Sequence, residues 1–139
     1  MGVSIESKSH NCDLGFAGFN RFRNLVAEKI SIEFGEHYKL LTTPEVLNLY
    51  GEEHKKFYAE YDAKTNEFIK NGVVPLDVAI FLYKSDCEGK INKQQAKKVY
   101  ELIKDCDDNI VYGYIGRSDC ATMKDFKQIF GNSSTVKWY

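Results

Sequence analysis

The chain has 139 residues, 43% of them hydrophobic and 28% charged, with a formal net charge of −1. That length suits one domain, 1–139, able to bury roughly 68% of its unfolded surface without a metal or disulfide staple. The balance excludes a disordered or collagenous chain and argues against a nucleic-acid coat or a polybasic membrane anchor.

Gly2-Val3-Ser4-Ile5-Glu6-Ser7 alternates apolar and polar residues, the mark of a short half-buried strand. A polar turn is expected over Lys8 to Asp13. Phe19, Phe22, Val26, Ile30 and Phe34 then recur at three- and four-residue steps, predicting one helix of about five turns that Gly35 weakens or ends. Thr43-Pro44 opens a further helix that Gly51 interrupts, and Glu52 to Lys70 reads as a solvent-facing helix stopped at Asn71-Gly72. Pro75 starts a shorter helix carrying Leu76, Ala79, Ile80 and Tyr83.

Asp86 to Ile91 is expected as a turn, followed by a helix from about Lys93 to Lys104 with Asn92 and Gln95 as a capping box. Ile110 to Ile115 reads as a strand. Thr122 and Asp125 cap a last helix bearing Met123, Phe126 and Ile129, and Thr135 to Tyr139 forms a final strand. The predicted class is therefore α+β: a mainly helical chain with a small antiparallel sheet from the N-terminal, 110–115 and C-terminal strands.

No apolar run approaches the ~18 residues of a membrane span, and Met1-Gly2-Val3-Ser4 does not read as a signal peptide. Cys12, Cys87, Cys106 and Cys120 form no CxxC pair, so neither a zinc ribbon nor a redox motif is expected, and His10-x-Cys12 supplies only two of a metal's ligands. Read as a calcium loop around Gly89, the chain puts Lys84 and Gln95 where carboxylates are required. Asp105, Asp107 and Asp108 read as a solvated turn. No metal and no cofactor is expected. The chain also lacks GxSxG, HExxH and a phosphate-binding GK[ST] loop, so no enzyme is read from it.

The arginines carry the functional reading. Arg21, Arg23 and Arg117 all lie in segments rich in glycine and aromatics, whereas the rest of the 19 basic residues are lysines. At about 100° per residue, Arg23 falls inside the apolar stripe of its helix and Arg21 on the opposite side. A guanidinium turned inward near a helix N-terminus loses water and faces the positive end of the macrodipole, so something anionic or a set of carbonyls must satisfy it. An internal ion pair with Asp13 or Asp119 is the first candidate. The second is a ligand phosphate shared with Arg117 and helix amides, with Gly15, Gly18 or Gly116 allowing close approach.

Met1-Gly2-Val3-Ser4-Ile5, the run from Asp13 through Gly15-Phe16-Ala17-Gly18-Phe19 to Arg23, and Tyr112-Gly113-Tyr114-Ile115-Gly116-Arg117 together resemble a family of small, mostly uncharacterised proteins of phages and prophages of Gram-positive bacteria. The Ser85 to Lys90 turn and the Lys137-Trp138-Tyr139 end fit as well. The resemblance implies a protein acting against host defence in the host cytoplasm. The first expectation is a non-enzymatic sponge, a symmetric homo-oligomer that holds a cyclic nucleotide or cyclic ADP-ribose-like signal without cleaving it. Arg23 and Arg117 would meet phosphates beside Gly18 and Phe19, Tyr112 or Tyr114 would stack a base, and Asn11 or Asp13 would accept from base or ribose. The alternative is a protein-binding inhibitor of a defence complex, of anti-CRISPR type, using the acidic 52–67 helix. Membranes and nucleic acids are not expected partners.

Overall fold

The computed structural model describes residues 2–113 and 121–139. Strands β1 (Gly2–Glu6) and β2 (Asn11–Gly15) form an antiparallel hairpin, closed where the Ser7 amide donates to the His10 carbonyl at 2.9 Å. The turn expected over Lys8 to Asp13 is thus shorter, and its second half is strand. Cys12 and Leu14 point inward while Asn11 and Asp13 point out, an alternation hidden by polar composition.

The single long helix expected next is two. Helix α1 spans Phe16–Ile30 and α2 spans Ile32–Lys39, broken at Ser31, whose extended backbone frees its hydroxyl to accept from the Phe34 amide at 3.0 Å. Gly35 does not end the helix. A Cβ there would lie 2.9 Å from the Glu28 Cα, so the glycine lets α2 fold back onto α1.

Helices α3 (Pro44–Leu47), α4 (Gly51–Lys70) and α5 (Leu76–Tyr83) follow, with a boundary at Gly51, whose φ is +62°. The turn expected over Asp86 to Ile91 holds only in its first half; Gly89–Ile91 is strand β3, then come α6 (Lys93–Ile103), α7 (Met123–Phe130) and β4 (Val136–Trp138). Both expected capping boxes are present, at Asn92/Gln95 and Thr122/Asp125.

The sheet order is β2-β1-β4-β3, antiparallel throughout. The mainly helical α+β class with its small antiparallel sheet is as expected, but the strand inventory differs. Within the described part of 110–115, Val111 makes only an isolated bridge to Thr122, and β3 fills the sheet instead. β3 can do so because Gly89 has no side chain: a Cβ there would come within 2.2 Å of the Trp138 ring.

Every helix-facing side chain of the sheet is buried: Val3, Ile5, Cys12, Leu14, Ile91, Val136 and Trp138. Against them pack Phe19 and Phe81, each within 5.7 Å of the Trp138 ring, and the Phe22–Phe126 stack at 3.9 Å. Among the described residues, the other face of the sheet carries no helix. Among the described residues, no helix is long and apolar enough to cross a membrane.

Candidate functional site

Arg23 is buried in the apolar seam, as its helical position requires, and Arg21 is exposed. Among the described residues, what Arg23 meets is a set of carbonyls, not Asp13. Helix α5 ends without a cap of its own, and the Arg23 guanidinium supplies one: Nη1 donates to the carbonyls of Lys84 (2.7 Å) and Leu82 (3.3 Å), and Nη2 to that of Ser85 (3.4 Å). Two further donors share these acceptors, the Tyr38 hydroxyl on Leu82 at 2.9 Å and the Trp138 Nε1 on Ser85 at 2.8 Å. The cation also lies 4.5 Å from the Phe19 ring centre and 5.2 Å from that of Phe81. Burial pulls its pKa below the ordinary value, with Tyr38 and Asp86 acting in the opposite sense. The cleft outside it holds about 260 Å3 and is lined by Asn20, Tyr38, Tyr83, Lys84 and Asp86.

The neighbouring candidates are structural as well. Phe19 is fully buried. Gly18 sits where a Cβ would fall 2.0 Å from the Tyr112 carbonyl oxygen, so it admits the 110–113 segment against α1. The Tyr112 ring is a core plate, edge-on to Phe22 at 5.6 Å and to Phe126 at 5.3 Å; burial raises its phenol to about 12. Its carbonyl accepts from Arg21 at 3.3 Å. Tyr114 and Arg117, with Gly116 and Asp119, lie outside the described residues.

Asn11 and Asp13 stand elsewhere, on the open face of the sheet, with the sheet between them and Arg23. The site expected from sequence is therefore not brought together by its described members. Asp13 accepts from the Ser4 hydroxyl at 2.6 Å. Of the candidate metal ligands, the buried Cys12 thiol is pushed up to about 12 by burial, then by Asp125 and Asp13, and His10 pairs with the same Asp125 at 3.0 Å. In the acidic cluster, Asp108 receives Lys127 at 2.5 Å and Asp107 caps the Asn109 amide at 2.9 Å, as a turn does.

The open face itself is the feature that sequence reasoning missed. Pairing sets Asn11, Glu6, Lys137 and Lys90 in one row across all four strands. Glu6 reaches Lys137 at 3.4 Å; Lys90 and Lys8 form no ion pair among the described residues. Lys8 is held nearby because its amide donates to the Ser134 hydroxyl at 3.1 Å, and Asn132 ties the same turn through Ser9 at 2.6 Å. Three lysines, Glu6, Ser7 and Thr135 thus ring a concavity of about 350 Å3. A shallow stretch of surface adjoins it over Glu88, Lys90, Lys137 and the exposed Tyr139 ring. Lys137 lies 5.9 Å from that ring's centre, and the Glu6 carboxylate beside Tyr139 raises its phenol above the usual range.

Like charges directly opposite across strands cost stability. Lys90 and Lys137 are such a pair, and an anion between them would remove the cost. The signal available in the sequence was the alternation of Lys137 with Val136 and Trp138, but nothing local says that Lys90 lies beside it. The chain matches no family model, no curated protein and no solved structure.

Proposed function

We propose that this protein is a phage-type anti-defence sponge: a non-enzymatic protein of the host cytoplasm that captures a phosphorylated, nucleotide-derived signal on the open face of its sheet. The observation that carries the reading is the cross-strand pair Lys90 and Lys137 at the rim of a concavity with Lys8, three cations against one carboxylate. Ammonium groups and the Ser7 and Thr135 hydroxyls are donors suited to phosphate oxygens. Tyr139 offers a ring on which a base can lie, and Asn11 offers acceptor and donor groups two strands away. Holding a ligand requires no more than this. The resemblance to phage proteins supplies the class of ligand, a cyclic nucleotide or cyclic ADP-ribose-like molecule.

The test is calorimetric titration against a panel of cyclic mono- and dinucleotides and ADP-ribose cycles. Binding is expected with at least one member, abolished in Lys90→Glu and retained in Lys70→Glu, the same charge change at the end of α4, with the ligand recovered intact after denaturation. A chemically altered ligand would mean an enzyme. No heat with any member, together with co-purification of a host effector insensitive to Lys90→Glu, would replace the sponge by the protein-binding inhibitor. Titration of Arg117→Ala decides whether that residue also meets the ligand.

A further inference from the structure

Away from the sheet, helices α2 and α4 leave a groove between two ridges of side chains. On α2, Glu33, Glu36, His37 and Leu40 follow one another at helical spacing, and on α4 Lys64, Glu67 and Phe68 do the same. The rings of His37 and Phe68 form the floor, 5.4 Å apart between centres. Leu40 and Val73 stand at the rim, 43% and 40% exposed.

The groove is acidic as well as apolar. Glu33, Glu36 and Glu67 bring three carboxylates against the one ammonium of Lys64, and none of the four forms an ion pair among the described residues. Lys64 lies instead 5.7 Å from the centre of the Phe68 ring. Glu33 suits the first turn of α2, but Glu67 stands in the last turn of α4, where the macrodipole disfavours an acid. Glu33 and Glu36 also repel each other at a spacing of three. A cation in the groove would relieve both costs, and the apolar floor and rim call for apolar side chains in the same partner.

A second copy of the chain does not meet both demands. Its exposed basic helix, α6, presents Lys93, Lys97 and Lys98 but no exposed apolar side chain. We propose that the α2–α4 groove receives a basic amphipathic helix of another protein. Its apolar side would lie on Phe68, Leu40 and Val73, and its lysines or arginines would meet the three carboxylates. None of these residues lines the sheet's open face, so the proposal stands independently of the ligand reading.

Fluorescence anisotropy with the full chain tests it. The probe is a labelled helical peptide with leucines on one side and lysines on the other. It is expected to bind, whereas the same peptide with glutamate for lysine does not, and the one with alanine for leucine binds more than about tenfold more weakly. Glu36→Lys/Glu67→Lys, one change on each side of the groove, should weaken the probe more than about tenfold. Glu101→Lys/Asp105→Lys makes the same change in charge at the end of α6 and should leave binding within about twofold, because distant exposed charges are screened. Glu36 and Glu67 are exposed and a lysine suits the end of α4, so the first variant keeps its fold, which circular dichroism checks. A probe that does not bind overturns the proposal, as does an alanine peptide that binds equally well, or an equal loss in both variants.

Discussion

The molecule handles positive charge in two opposite ways on the two sides of its sheet. Beneath it, Arg23 is buried: three carbonyls at the end of α5 accept from its two Nη atoms, its Nε has no hydrogen-bond partner among the described residues, and its cation lies 4.5 and 5.2 Å from the ring centres of Phe19 and Phe81. Above it, Lys8, Lys90 and Lys137 share one carboxylate and face water. A guanidinium with a fixed fork is suited to hold backbone in place, whereas mobile ammoniums on a strand are suited to gather around something that comes and goes. On the proposed reading, the arginine serves the architecture and the lysines meet the ligand.

The sharpest way to break this contrast is Arg23→Met. Removing the guanidinium leaves buried carbonyls short of donors and is expected to cost about 3 kcal/mol or more, read by urea unfolding. An unfolding midpoint unchanged from the parent would return Arg23 to the list of ligand residues. Next comes Trp138→Phe, which deletes the second donor on Ser85 and some core volume, for an expected loss of about 2 kcal/mol in the same assay.

A smaller effect concerns His37. Its Nε2 donates to the Thr65 hydroxyl at 2.8 Å, whose own proton goes to the Tyr61 carbonyl at 3.0 Å, and its ring stacks on Tyr61 at 3.9 Å. Burial, then Lys64, lowers its pKa, so the folded state prefers the neutral ring. Just below the unfolded value of about 6.5 the unfolded chain binds the extra proton, and stability falls as pH falls through that range. In His37→Gln this part of the pH slope should vanish; an unchanged slope would show that the ring does not contribute. The smallest effect sharpens the other side of the contrast: Lys90→Ala should leave stability within about 0.5 kcal/mol of the parent while weakening anion binding.

What was legible in the sequence was local. The Asn92/Gln95 box, with both bonds at 2.8 Å, needed only a spacing of three. The inward aim of Arg23 followed from counting turns. Its partners did not, because the carbonyls of Leu82, Lys84 and Ser85 arrive from a different helix end, and a carbonyl leaves no trace in residue type. The hairpin was lost for another reason: in Asn11-Cys12-Asp13-Leu14 the inward positions are a thiol and one leucine, too weak a signal against two polar neighbours. The row from Asn11 to Lys90 depends on four strands drawn from distant parts of the chain.

One consequence of the strand order concerns the sequence of events in folding. β3 pairs with β4 alone, and β4 also closes on β1, where the Ser4 and Tyr139 amides and carbonyls exchange bonds at 2.8 and 3.0 Å. During vectorial synthesis the first hairpin can zip at once, but β3 waits without an edge to join until β4 leaves the ribosome. The pairing of Lys90 with Lys137 would then form only after the first hairpin and the helices between β3 and β4 have been made.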